Sequence, residues 1–183
     1  MTDWILSESS YSYEIDVPID QVDIADCLAH LRNAEFQRWC PPYHIACGFT
    51  HTDEGQPMSI NVETIGKSLL MQQYVAEVFK SRLCRMVSVS DVFPFSGGRT
   101  HTVVTWTLAV EPISIGGCRF VNSVTANATE AFLDFITQHG QTLADAATAR
   151  QQAFSDHNRR ETPRYAASIA SAARARQTAA GLI

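Results

Sequence analysis

The chain has 183 residues, a formal net charge of −5 and a hydrophobic share of 45%. That length suits one domain with its own core, and without an internal stripe of Lys and Arg nothing favours nucleic-acid binding. No apolar run nears the ~20 residues that cross a bilayer, and the start, MTDWILSESS, carries acids and no basic n-region, so neither a membrane span nor a signal peptide is expected.

In Tyr11 to Val17, Tyr11, Tyr13, Ile15 and Val17 alternate with polar residues, which predicts a half-buried strand that Pro18 ends. Asp20 is placed to cap a following helix, whose stripe is Val22, Ile24, Ala25, Leu28 and Leu31. Asn33 is placed to cap a second short helix, Ala34 to Trp39, stopped by Pro41 and Pro42. Strands are then expected over Tyr43–Thr52, Met58–Ile65, Leu69–Lys80, Leu83–Phe93, Thr100–Val110 and Cys118–Ala126, with turns at Asp53–Pro57, Gly66–Lys67, Pro94–Arg99 and Gly116–Gly117. Leu69–Lys80 is long enough for a helix, but Tyr74, Val75, Val78 and Phe79 favour a strand. Thr129 or Asn127 caps a long helix with Phe132, Phe135, Ile136, Leu143 and Ala147 on its apolar side, bent or closely packed at Gly140. Past Ala149 the chain turns polar. Pro163 leads an alanine-rich segment to Ala180, read as a tail helix that docks on a partner subunit, as in a homodimer, or frays in solution. The expected division is a domain over 1–150 and an extension over 151–183.

This order of strand, two short helices, six strands and a long helix, with Ala34-Glu-Phe-Gln-Arg-Trp39 ahead of the second strand, resembles the START/Bet v 1-like (SRPBCC) helix-grip superfamily, polyketide cyclase/dehydrase type. The resemblance covers about Tyr11 to Arg150 and implies an α+β fold, a curved antiparallel sheet wrapped around a long helix. It also implies a cavity for a hydrophobic or aromatic small molecule, with no cofactor. The superfamily holds lipid carriers, receptors and cyclases, so fold alone does not choose among them.

Cys40, His44, Cys47 and His51 look like a zinc set, yet alternation along a strand turns His44 away from Cys47 and His51. They read instead as small buried thiols beside surface histidines, so no metal is expected. The five cysteines, Cys27, Cys40, Cys47, Cys84 and Cys118, lack a scaffold spacing and read as reduced thiols of a cytoplasmic protein. Polar residues on apolar strand faces are the other signal. Arg85 and Asp91 share a face with Leu83, Val87 and Val89; Gln73 lies with Met71; His51 lies with Cys47 and Phe49; Asn122 lies with Phe120 and Val124. If those faces line the cavity, Arg85 fixes an anionic oxygen while His51 or Asp91 moves a proton. Tyr43, Cys47, Phe49, Met71, Gln73, Trp106 and Asn122 would then contact the ligand. The other reading is an edge ion pair of Arg85 with Glu77 or Asp91, and a solvated His51. Catalysis of cyclisation or dehydration and simple carriage of a lipophilic ligand both remain open.

Overall fold

The computed structural model describes residues 4–113 and 116–180. Its strands are β1 (Ile5–Ile15), β2 (His44–His51), β3 (Pro57–Ile65), β4 (Ser68–Lys80), β5 (Leu83–Pro94), β6 (Thr100–Pro112) and β7 (Cys118–Ala128). Its helices are α1 (Ile24–Ala29), α2 (Asn33–Trp39), α3 (Glu130–Gln138) and α4 (Leu143–Ala180). The strands form one antiparallel sheet in the order β1-β7-β6-β5-β4-β3-β2. The segment carrying α1 and α2 therefore crosses from one edge strand to the other.

Capping differs from the sequence expectation by one turn. Asp23, not Asp20, accepts the amide of Asp26 at the start of α1. Asn33 spends its side chain elsewhere: its Oδ1 accepts the backbone N–H of Cys47, tying α2 to β2. Thr129 does cap α3, accepting from Phe132. Gly140 adopts φ 68° and ends this helix rather than bending it.

The helix laid against the inner face of the sheet is α4. It is continuous through residue 150, so the expected division at that point falls inside a helix. The alanine-rich stretch is core: Tyr165, Ala166, Ile169, Ala170 and Ala173 are buried. Small side chains let the helix approach closely, so that Tyr165 tilts against Trp39 with centroids 3.8 Å apart. Gln151 locks α4 to the edge strand, accepting from the Glu8 amide and donating to the Glu8 carbonyl at 2.9 Å each. Gly98 (φ 86°) sits where a Cβ would lie 2.7 Å from Phe135, so the β5–β6 loop closes directly on α3.

Candidate functional site

Side chains of β3 alternate, and the inward set is polar: Ser59, Asn61 and Glu63 are buried, while Met58, Ile60 and Val62 face the other way. On β4 the inward residues include Gln72 and Tyr74, and on β5 Ser88 and Ser90. One face of α4 answers them with Phe154, His157, Asn158, Glu161, Thr162 and Tyr165, a spacing of three and four.

β2 adds His44 through a bulge. His44 pairs with Glu63 and Cys47 with Asn61, so three steps on β2 face two on β3. The extra residue lies between His44 and Ala46, and it puts His44 and Cys47 on the same, inward face. Simple alternation assigned them opposite faces. The expected surface histidine is thus a buried one. Its ring stacks on Phe36 at 3.9 Å, and its Nδ1 lies 2.8 Å from the Phe36 carbonyl. A carbonyl only accepts, so Nδ1 carries a proton and Nε2 is left facing the interior.

Four side chains meet there. His44 Nε2 is 3.1 Å from His157 Nε2, and 3.3 Å from Oε2 of both Glu63 and Glu161. His157 Nε2 is 2.8 Å from Glu63 Oε2 and 3.8 Å from Glu161 Oε2. Burial opposes charging of His44, but hydrogen bonds to Glu161 and Glu63 and their charges outweigh it and hold its pKa up to about 10. For His157, burial is likewise outweighed, first by the charge of Glu63, and the pKa rises to about 11. Burial would raise the Glu63 carboxyl, yet the two histidines hold it well below the usual carboxylate range. Asn122 orients the cluster: its Nδ2 donates to Glu161 Oε1 at 3.1 Å and to Thr162 Oγ1, while its Oδ1 accepts Trp106 Nε1–H at 2.9 Å.

Beside this cluster is an internal cavity of about 30 Å³, with Glu63, Gln72, His157, Glu161 and Tyr165 in its wall. That is room for about two waters, far below what an aromatic ligand needs. Gln72 Oε1 and the Tyr165 hydroxyl are buried without a hydrogen-bond partner. A second space of about 140 Å³, bounded by Tyr43, Thr64, Gly66, Asp156 and Arg160, reaches His157 from outside. A larger groove of about 560 Å³ lies between α3, α4, the β3–β4 turn and the β5–β6 loop, and shares Ile65 with both smaller spaces. Phe132, Phe135 and Ile136 give it an apolar wall, and Phe95, 67% exposed, stands at its rim. Arg150 is its one mostly buried cation. Its guanidinium lies 4.7 Å over the Phe132 ring, and burial alone lowers its pKa to about 10.

Of the residues singled out in the sequence, Trp106 and Asn122 are brought together in the interior, and Tyr43 stands at the opening beside Arg160. Cys47 and Phe49 point inward on β2 but line none of these three spaces. Arg85, Asp91, Met71 and Gln73 occupy the outer face of the sheet, because β4 and β5 turn their alternate residues inward. There Arg85 pairs with Glu77, and Asp91 with Arg99 and His101. His51 is exposed against Phe49. His51, Arg85 and Asp91 do not converge. The zinc-like set divides too: Cys47 Sγ faces the Leu31 carbonyl, whereas Cys40 and His44 meet His157. Burial pushes the thiols of Cys27 and Cys47 up to about 11 and of Cys84 to about 12, which disfavours thiolate chemistry at those three.

Glu63, His157 and Glu161 were missed. His157 and Glu161, four apart within the Phe154–Tyr165 spacing, were the available signal for a helix face.

The arrangement matches solved structures over nearly the whole chain. Zhui aromatase/cyclase from a Streptomyces species aligns at TM-score 0.59 and 11% identity, covering 95% of this chain and 97% of that one. The fold is a START/Bet v 1-like helix grip. The di-domain ARO/CYC protein BexL has the same grip at TM-score 0.58 and 12% identity, over 90% of this chain and 50% of its own, so the present chain spans half of that protein. A Thermus thermophilus protein aligns at TM-score 0.51 and 13% identity, covering 88% of this chain and 98% of that one. No protein-family model and no curated protein matches the sequence. Among the described residues, no helix of the grip is long and apolar enough to cross a membrane.

Proposed function

We propose that the protein binds a flat, apolar small molecule carrying an acidic oxygen, of the aromatic or polyketide-like kind, in the groove at the open end of the grip. One observation carries this: an apolar groove of about 560 Å³ holds a single mostly buried cation, Arg150. Among the described residues no carboxylate pairs with it, and a desolvated guanidinium without an anion gains most from a bound carboxylate or phenolate. The likeness to aromatase/cyclase structures supports the ligand class. A carrier needs nothing more. Catalysis of cyclisation or dehydration is the second reading, and it is favoured by His157, which lines the opening between groove and interior and sits 2.8 Å from Glu63. The roles first assigned to His51, Arg85 and Asp91 form no part of either reading.

Calorimetric titration with 2-naphthoate tests the binding. Ala149→Trp, an exposed change in the groove wall, should abolish the heat while leaving thermal stability unchanged. Arg150→Met should weaken 2-naphthoate by about tenfold, as loss of a charge-assisted hydrogen bond predicts, and leave 2-methylnaphthalene unaffected. Equal binding by wild type and Ala149→Trp would remove the groove from the account.

A further inference from the structure

We propose that His44, Glu63, His157 and Glu161 form a binding site for one divalent first-row transition ion of the zinc type, held by Nε2 of each histidine and Oε2 of each glutamate. The proposal is independent of the ligand proposed for the groove.

The geometry is that of a coordination shell. Bonds of about 2.0–2.2 Å to nitrogen and oxygen in a tetrahedron put neighbouring ligand atoms about 3.3–3.5 Å apart. The five distances that involve a histidine nitrogen are 2.8, 3.1, 3.3, 3.3 and 3.8 Å. The ligands come from three elements, β2, β3 and α4, so the convergence is a product of the tertiary fold. Without an ion each Nε2–H donates to a carboxylate, His157 to Glu63 at 2.8 Å and His44 to Glu63 or Glu161 at 3.3 Å, while the two ring nitrogens face each other at 3.1 Å. A metal ion would displace both protons and take a lone pair from each ring. The two carboxylates also have no Lys or Arg within ion-pair distance among the described residues, and their combined charge matches one divalent cation.

The surroundings hold each ligand as metal sites do. The Phe36 carbonyl fixes the His44 ring through Nδ1, and Asn122 holds Glu161 by its other oxygen. Cys40 Sγ lies 3.9 Å from Nδ1 of His157, the ring nitrogen that is not the proposed ligand atom. It is therefore an outer partner, although its sulfur, His44 and His157 offer atoms within 4.8 Å of one another. Two nitrogens and two oxygens without thiolate suit Zn²⁺, Co²⁺ or Fe²⁺ better than Mg²⁺ or Ca²⁺. The opening beside Tyr43 and Arg160 is the entry path, and the cavity of about 30 Å³ leaves space for one water beside the ion.

The test is titration of the EDTA-treated full chain with Zn²⁺ and with Co²⁺. One equivalent should bind, raise the unfolding temperature, and give Co²⁺ the intense visible absorption of a four-coordinate site without a sulfur charge-transfer band. Glu63→Gln and Glu161→Gln should each weaken Zn²⁺ by about a hundredfold or more, since even outer partners cost about 10–100-fold. Cys40→Ser should still bind. The groove variant Ala149→Trp should bind fully, which separates failure here from failure of the groove. Less than one equivalent in the wild type overturns the proposal. So does loss of binding in Cys40→Ser with retention in Glu161→Gln, or a sulfur band in the Co²⁺ spectrum. The wild-type spectrum decides the donor set even if a glutamine variant fails to fold.

Discussion

Asn122 is a residue whose environment was half readable from the sequence. Its place beside Phe120 on an apolar strand face marked it as a polar group in the interior, and it is fully buried. Its partners were not readable, because Trp106 is a cross-strand neighbour and Glu161, Thr162 and Asn158 come from α4. Its amide side chain makes three hydrogen bonds: the oxygen accepts from Trp106, and the nitrogen donates to Glu161 and Thr162. Removing it leaves an indole N–H and a carboxylate oxygen buried without partners, each at a cost of about 1–3 kcal/mol. Asn122→Ala should therefore lower unfolding free energy by about 2–5 kcal/mol in urea. A loss under 1 kcal/mol would mean that water replaces the amide. Arg85 and Asp91 show the opposite case. Their alternation with valines was read correctly, but periodicity gives two faces without saying which is inside. On β3 the polar set Ser59, Asn61 and Glu63 faces inward, and on β5 the mixed set Cys84, Met86, Ser88, Ser90 and Val92 does, leaving Arg85 and Asp91 outside.

At the scale of elements, the order of strands and short helices was legible because each carried its own period and its own turn. The site was not, for two local reasons. The bulge at Ile45–Ala46 shifts His44 by one position, and nothing in the strand's composition marks it. The second reason is α4, where alanine was taken to bury little. An alanine face instead permits close approach, and the larger residues set within it, Tyr165 and Ile169, become fully enclosed. A chain ending at Thr162 would lose both, together with the Trp39–Ser168 hydrogen bond and the Arg176–Asp26 ion pair. Deleting one buried Ile or Tyr side chain costs about 2–5 kcal/mol, and a domain holds only about 5–15 kcal/mol. The truncated chain should consequently lack a cooperative thermal transition and near-ultraviolet circular dichroism. A folded monomer released from an oligomer would instead restore the reading of this segment as a detachable tail.

Over the whole molecule, the grip has closed on itself more than its fold implied. Trp106, Tyr74, Phe120 and Tyr165 fill the space between sheet and helix with ring centroids 5.2–5.8 Å apart. The ligand-sized volume is displaced to the open end. Phe154 is buried and lines both the groove and the internal cavity, so its ring is the partition between them. Phe154→Ala should remove that partition at a cost of about 3–5 kcal/mol, the usual range for a buried phenylalanine. An enlarged site binds a flat ligand more deeply, and binding returns stability as RT ln(1 + [L]/Kd). A saturating concentration of 2-naphthoate should then raise the unfolding temperature of Phe154→Ala by more than it raises that of the wild type. Equal shifts in the two proteins would show that the ligand never passes the ring, and the groove and the histidine–glutamate cluster would be separate sites sharing one scaffold.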